Sequence, residues 1–227
     1  MAMLGLIPAR EGSKGIPGKN LVPLAGRPLL AWTCLAANDC PELSRCVVST
    51  DSVEIAAVAE SIGIAAPFLR PAELSGDETP MIDVLVHVLN ELGDPEGIVL
   101  LQPTSPLRTA EHIGDAIRLF RESGADSVVS VVRVPHNFTP GSLLRLVNGR
   151  VEPAGPSAAA ARRQEKPSLY ARNGPAVLVV RPAVIRQGLL YGADTRAYEM
   201  SAADSVDVDT QFDLEYAEWL LLRRAAQ

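Results

Sequence analysis

The stretch from Leu4 to Asn20, LGLIPAREGSKGIPGKN, constrains the fold more than any other. Leu4–Ile7 is a short apolar run and reads as a buried strand. It opens directly into a loop holding Gly12, Gly15 and Gly18, the prolines Pro8 and Pro17, and the cations Arg10, Lys14 and Lys19. Glycines let backbone N–H groups approach oxygen atoms with no side chain in the way. The cations add charge, and Pro17 limits how far the loop can collapse. A strand feeding such a loop suits a polyphosphate.

Two common glycine motifs do not fit. A Walker A loop ends in Gly-Lys followed by Ser or Thr, whereas Gly18-Lys19 is followed by Asn20. The dinucleotide fingerprint is G-x-G-x-x-G, whereas Gly12, Gly15 and Gly18 are spaced G-x-x-G-x-x-G. Neither a P-loop ATPase nor a dinucleotide oxidoreductase is the expectation.

A chain of 227 residues, 47% hydrophobic, is long enough for one α/β domain with a sizeable core. No apolar run spans a bilayer and no signal-peptide layout is present, so a cytoplasmic protein is expected, with no membrane partner. The net charge of −6 disfavours nucleic acid as a partner. The cations cluster locally, at 10–19 and 162–166, which suits a small anion in a cleft. Cys34, Cys40 and Cys46 show no CxxC spacing and are expected to be reduced structural thiols.

Along the chain, strand and helix patterns alternate. Pro28–Ala37 reads as a helix with Pro28 in its first turn, and Cys46–Thr50 as a strand. Asp51 or Ser52 would cap a helix over Val53–Ile62. Thr79 would cap a further helix, with Pro80 in its first turn and Ile82, Leu85, Val86 and Leu89 on one face. His87, four residues after Asp83, reads as a paired or solvated helical histidine rather than a catalyst. Ile98–Leu101, Ala125–Arg133 and Ala176–Val180 read as strands, and Thr109 as the cap of a helix over Ala110–Ser123. The expected fold is α/β and Rossmann-like, a mainly parallel sheet flanked by helices. Ligands lie at the carboxyl ends of strands in such sheets, which gathers the 9–20 loop and Ser49–Asp51.

Two further stretches carry chemistry. Gln102, Thr104, Ser105 and Arg108 follow an apolar strand directly, in LQPTSPLR, where polar groups at a strand end face a cleft. In Ser205–Thr210, SVDVDT, strand alternation puts Asp207 and Asp209 on one face and Val206 and Val208 in the core. Paired carboxylates need a counter-charge. Mg²⁺, held by one or two carboxylates plus phosphate oxygens, is the natural partner. Asp213 reads as a first-turn acid of a final helix capped by Thr210. Between these stretches Asn148-Gly149 marks a hairpin, and Pro135-His136-Asn137 follows the strand that ends at Arg133.

The stretch Ile7–Asn20 closely resembles the N-terminal signature of the acylneuraminate cytidylyltransferases, with Glu11 where that family more often has glycine. LQPTSPLR and SVDVDT resemble two further motifs of the same family. So does the run from Arg162 to Gly174, read as R-R-Q-x-x-P-x-x-Y-x-x-N-G. The resemblance implies a single nucleotidyltransferase domain over 1–227. It also implies a protruding arm at about 138–172, which reaches a second subunit and makes a homodimer.

The resemblance further implies cytidylyl transfer from CTP to an acidic, nonulosonic-type sugar, releasing pyrophosphate. Ala9, Arg10, Gly12, Ser13, Lys14, Lys19, Asn20 and Arg70 would bind the nucleotide. Gln102, Thr104, Ser105, Arg163 and Tyr170 would meet the acceptor. Arg10, Lys19 and Asp209 would carry catalysis, with Mg²⁺ on Asp207 and Asp209. No side chain stands out as general base; Asp209 and a metal-bound hydroxide are both open. Thr79-Pro80-Met81 stands where the family usually has serines near the nucleotide. A different acceptor, such as a Kdo-like sugar, a sugar phosphate or a phosphonate, therefore stays open, as does a non-catalytic nucleotide-binding protein.

Overall fold

The computed structural model describes residues 2–13, 15–154 and 168–226. Strand β1, Met3–Pro8, is buried along its whole length, because residues on both of its faces are apolar. Met3 and Ile7 enter one core and Leu4 and Leu6 the other, as a period of two requires. The short strands β2 (Pro23–Leu24) and β3 (Arg27–Pro28) pair with each other. Helix α1 covers Leu29–Asn38, so Pro28 occupies the N-cap position and not the first turn. Strand β4 (Arg45–Ser49) leads to α2 (Val53–Ser61). Ser52 stands at the N-cap of α2 without a side-chain cap, and Asp51 Oδ1 accepts from the backbone N–H of Glu11 at 2.9 Å.

Helix α3 spans Met81–Leu92. Its cap differs from the expectation. Pro80 holds the N-cap position, and Thr79 Oγ1 is turned back to donate to the carbonyl of Glu73. The fully buried face is Val84, Leu85, Val88 and Leu89, with Ile82 and Val86 at its margin. Strand β5 (Gly97–Leu100) follows, then α4 (Ala110–Ser123), where Thr109 and His112 form a reciprocal cap. Strand β6 is Ser127–Arg133. Strands β7 (Leu144–Val147) and β8 (Arg150–Pro153) form a separate hairpin. Its two-residue turn has Asn148 and Gly149 at φ 50° and 76°, the left-handed pair that matches strand twist. Strand β9 (Tyr170–Arg172), β10 (Leu178–Val180), α5 (Pro182–Ile185), β11 (Thr195–Met200) and α6 (Gln211–Ala225) complete the order.

The main sheet runs β11-β6-β10-β5-β1-β4, with β9 also on β6. The α/β architecture is as expected, but the sheet is mixed. β4, β5 and β1 are parallel, as are β11 and β6, whereas β10 is antiparallel to both of its neighbours and β9 to β6. The reason is the route of the chain. It leaves the sheet after Arg133 and returns at the same end, where Tyr170 lies opposite Arg133, so that β9 and then β10 run back against β6. That reversal delivers the residues before Leu178 to the edge where β5 ends, since Leu178 lies opposite Leu100.

One core lies between the sheet and α1, α2 and α4, and a second packs around α3 and α5. A third lies under α6, where Leu24, Leu29, Leu107, Val206, Val208 and Leu214 meet. Among the described residues no helix is long and apolar enough to cross a membrane.

Candidate active site

The carboxyl ends of β1, β4 and β5 face one edge of the sheet, and three loops converge there. The backbone of Ala9 donates to Ser49 O at 3.0 Å, which ties the glycine loop to the end of β4. Asn20 Nδ2 donates to Arg10 O at 2.8 Å and closes the loop on itself. Gly18 takes a left-handed φ of 62° at the start of the Lys19–Leu21 turn. Gly15 is needed for a different reason: a Cβ there would overlap the carbonyl oxygen of Asp209. Gly12 meets no such obstruction, and the Glu11 side chain is exposed. Lys14 and Arg163 lie outside the described residues.

Lys19 reaches across to the Ser205–Thr210 segment. Its Nζ donates to Val208 O and to Asp209 Oδ1, both at 2.9 Å. This segment is irregular extended chain, not a strand, because its one described ladder-like bond is Val208 N to Thr104 O at 2.8 Å. The expected alternation survives without a sheet partner. Val206 and Val208 are buried, and the two aspartates point the other way. They differ in setting. The Asp209 side chain is 71% exposed. Asp207 is mostly buried, its Oδ1 has no partner, and burial holds its pKa above the usual carboxylate range against the Thr104 hydrogen bond. Asp213 makes a reciprocal cap with Thr210, the role expected of a first-turn acid.

A cleft of about 460 Å³ opens beside Asp207, lined by Gln102, Arg172, Gly174, Tyr191 and Met81 among others. Gly174, at φ 118°, lets the chain pass between Ser105 and Asp207; a Cβ there would lie 3.2 Å from Ser105 Oγ. Ser105 is fully buried and its hydroxyl has no partner. The size falls within the range of small-molecule sites.

Several expected residues serve the scaffold. Arg70 is 6% exposed and donates to Ser49 O at 2.7 Å, bracing the end of β4. Arg108 is turned into the interior, where it donates to Gln102 O, Ala176 O and Thr33 Oγ1. It positions the Gln102 loop from behind instead of facing the cleft. Tyr170, on β9 and 48% exposed, does not line the cleft, and His136 lies in an exposed turn. His87 packs edge-on to Phe68 and lies 4.0 Å from Glu91, away from the strand ends.

Three participants were not anticipated. Asp77 holds Arg10 in an ion pair at 2.6 Å. Arg172 and Tyr191 face the cleft together, with Arg172 Nη1 donating to Tyr191 Oη at 2.9 Å. Arg172 stands two residues before Gly174, where a cation beside an Asn-Gly turn was the available signal. Tyr191 had none. Among the described residues no cluster of three or more His, Cys, Asp or Glu side chains is set to hold a metal ion.

The sequence and fold match known proteins along nearly the whole chain. A family model described as Cytidylyltransferase covers residues 4–227. The N-acylneuraminate cytidylyltransferase A of Danio rerio is 37% identical over 96% of this chain and 50% of its own length. The CMP-N,N'-diacetyllegionaminic acid synthase of Legionella pneumophila is 34% identical over 97% of both chains. An N-acylneuraminate cytidylyltransferase of Escherichia coli is 32% identical over 95% of this chain and 51% of its own length, so the chain spans about half of some curated relatives. A solved CMP:2-keto-3-deoxy-manno-octonic acid synthetase, complexed with CTP, has a TM-score of 0.76 at 18% identity, covering 99% of this chain and 100% of its own. The 4-diphosphocytidyl-2C-methyl-D-erythritol synthase of Anaerococcus prevotii gives 0.65 at 14% identity, covering 98% and 96%. Those two likenesses show the shared fold. From the family model and the curated relatives together, the chain belongs to the cytidylyltransferase family.

Proposed function

We propose that the protein transfers a cytidylyl group from CTP to an acidic, nonulosonic-type sugar, with release of pyrophosphate. The observation that carries this reading is the junction where Lys19 of the glycine loop meets Asp209 beside the Asp207 cleft. It joins a phosphate-suited loop to a carboxylate pair and to a pocket for an acceptor. The relatives named for N-acylneuraminate and N,N'-diacetyllegionaminic acid support the choice of acceptor.

In this reading the backbone of 9–20, with Arg10 and Lys14, holds the triphosphate. Lys19 keeps Asp209 turned toward it. Gln102 orients the acceptor in the cleft, and a hydrogen bond with the Thr104 side chain holds Asp207 in place. Catalysis is then mostly positioning and charge neutralisation. Asp207 and Asp209 are the residues that would hold Mg²⁺, and the fit rests on Asp207, whose buried Oδ1 lacks any protein donor. When bound, Mg²⁺ supplies positive charge to phosphate oxygens and acidifies a coordinated hydroxyl.

The exposed apolar side chains of the β7–β8 hairpin, Leu144, Leu146 and Val151, with Phe138 beside them, support an arm at about 138–172 that packs on a second copy. The three unpaired cysteines support a cytoplasmic setting. Met81, lining the cleft where serine is usual in the family, favours a second reading in which the acceptor differs from sialic acid.

Pyrophosphate release from each of the four nucleoside triphosphates, with Mg²⁺ and a panel of acidic sugars, tests the proposal. Release with CTP and a nine-carbon acid supports it. Release with another acceptor keeps the chemistry and changes the sugar, and release with none removes the catalytic reading.

A further inference from the structure

We infer that the outward face of α6 is an interface with a second copy of this chain, in which two α6 helices pack antiparallel about a two-fold axis at Trp219. The surface lies outside the cleft, and the inference does not rest on the proposed reaction.

A helix laid on a protein core normally turns charged and polar side chains to solvent. Helix α6 departs from this. Leu214, Ala217 and Leu221 bury its inner face. At about 3.6 residues per turn, Phe212, Tyr216, Trp219 and Arg223 fall within about 60° of one another on the side away from that core. Phe212 is 74% exposed, Leu222 58% and Trp219 50%. The rings are already ordered. Phe212 and Tyr216 stack with centroids 6.5 Å apart, and Tyr216 and Trp219 with centroids 6.1 Å apart. The Arg223 guanidinium lies 4.9 Å from the centre of the Trp219 ring. A reciprocal cap of Thr210 and Asp213 fixes the start of the helix. A partner therefore meets a prearranged surface, and little side-chain entropy is lost on contact.

The order of residues along the face selects the partner. Glu215 and Arg223 stand four residues to either side of Trp219, and Tyr216 and Leu222 stand three residues to either side. A two-fold axis through Trp219, perpendicular to the helix, sets Glu215 of one copy against Arg223 of the other, twice. It also sets Tyr216 against Leu222, and Phe212 against the small Ala226. A parallel pairing would instead set Glu215 against Glu215 and Arg223 against Arg223. Within one copy the two charges lie about 12 Å apart along the helix and do not meet. Among the described residues neither takes part in an ion pair: Glu215 accepts from Gln211 Nε2 at 3.2 Å, and Arg223 has the Trp219 ring. The three rings and Leu222 leave roughly 400 Å² of apolar surface open, the size at which a patch marks an interaction site. Two such patches with their charged rims bury roughly 1,000 Å², the low end for a specific interface, so the association is weak and reversible. Asp213, Glu215 and Glu218 on the same helix disfavour an anionic lipid surface as the occupant.

Analytical ultracentrifugation of the wild type over about 1–200 μM tests the inference, and a reversible association step with a micromolar Kd is expected. The step is expected whether the starting species is a monomer or a dimer joined through the β7–β8 hairpin. Glu215→Arg alone and Arg223→Glu alone should each weaken it by about 10-fold or more, because like charges then meet twice. An equimolar mixture of these two variants should associate to within about threefold of wild type, because each copy then supplies the charge that the other lacks. That recovery also shows that both variants are folded. Trp219→Ala, at the centre of the contact, should weaken the step by about 10- to 100-fold. A wild type that stays one species at every concentration overturns the inference. So does association unchanged in both charge variants, and so does its loss in both without recovery on mixing. Association that Leu146→Asp abolishes while the α6 variants leave it intact belongs to the hairpin and overturns the inference. Co-sedimentation with phosphatidylserine vesicles in place of self-association assigns the face to a membrane and overturns it as well.

Discussion

Lys19 Nζ lies 2.9 Å from Asp209 Oδ1, joining residues 190 positions apart in the chain. The same ammonium also donates to Val208 O, and Val208 N donates to Thr104 O. Three segments at the sheet's edge are thereby locked into one unit. The glycine loop after β1, the turn after β5 and the segment before α6 cannot shift independently. A lysine that a phosphate loop would be expected to keep for phosphate is held by the carboxylate segment. Its charge is thus set between Asp209 and whatever anion the loop binds.

Gly15→Ala tests that lock without removing a charge. The added methyl would collide with the Asp209 carbonyl, which is backbone and has little freedom to yield. Turnover should fall by about 100-fold, the scale of a displacement near 1 Å at a reacting centre. Stability should fall by only about 1–3 kcal/mol, as for other overpacked sites. Steady-state kinetics beside a thermal melt separate the two. Unchanged turnover would show that the loop and the Asp209 segment move apart at no cost.

Asp207→Asn and Asp209→Asn should each reduce turnover by about 100-fold or more, the range for loss of one electrostatic stabiliser. Binding of CTP measured by calorimetry should persist at reduced Mg²⁺ dependence. The two should part in stability. Asp207 is mostly buried with an unpartnered oxygen, so its neutral isostere is tolerated or stabilising, whereas Asp209→Asn weakens the contact to Lys19. Normal activity in Asp207→Asn would remove this residue from the metal site.

Arg10 is engaged by Asp77 at 2.6 Å, and both side chains are about one-third exposed, at 29% and 37%. A triphosphate that takes Arg10 must displace this partner. Asp77→Asn should therefore lower the KM for CTP by about two- to fivefold, in keeping with the modest energy of a partly exposed pair. Acceptor KM should not change. A rise in the CTP KM would mean that Asp77 orients Arg10 for the nucleotide instead of competing with it.

Much of this was legible in the sequence because local chemistry and periodicity agree there. The apolar run at Leu4–Ile7, the capping pair at Thr109 and the Asn148-Gly149 turn all form as their residue types dictate. The alternation of SVDVDT sorts valines from aspartates even though no strand forms, since burial of Val206 and Val208 is enough to set it. What was not legible depends on contacts distant in sequence. The antiparallel insertion of β10 follows from the path of the chain between Arg133 and Leu178, which strand pattern does not encode. Arg108 reads as a cleft residue by position, but its length lets it turn inward to three acceptors. Tyr191 belongs to no motif and acquires its role only by lying against Arg172.

Arg108 supplies a prediction about stability. It is 2% exposed and hydrogen-bonds the carbonyls of Gln102 and Ala176 and the hydroxyl of Thr33. Arg108→Ala would strand several buried acceptors, at a cost of about 1–3 kcal/mol for each group left unsatisfied. A loss of about 3 kcal/mol lowers Tm by about 6–12 °C in a domain of this size. A melt within about 2 °C of wild type would show that water replaces the guanidinium fully.

The buried thiols give the chain an alkaline limit. Burial pushes Cys34 from 9.0 up to about 12, against the lowering effect of nearby Arg108, and burial moves Cys46 the same way. Below about pH 9 both the folded and unfolded chains keep the Cys34 proton, so the contribution to stability is fully present. As pH rises from about 9 toward 12 the unfolded chain ionises first, and stability is lost at about 1.4 kcal/mol per pH unit per thiol. Urea midpoints measured between about pH 8.5 and 10 should therefore fall for the wild type and fall less steeply for Cys34→Ala. Equal slopes in the two proteins would show that Cys34 ionises as readily folded as unfolded.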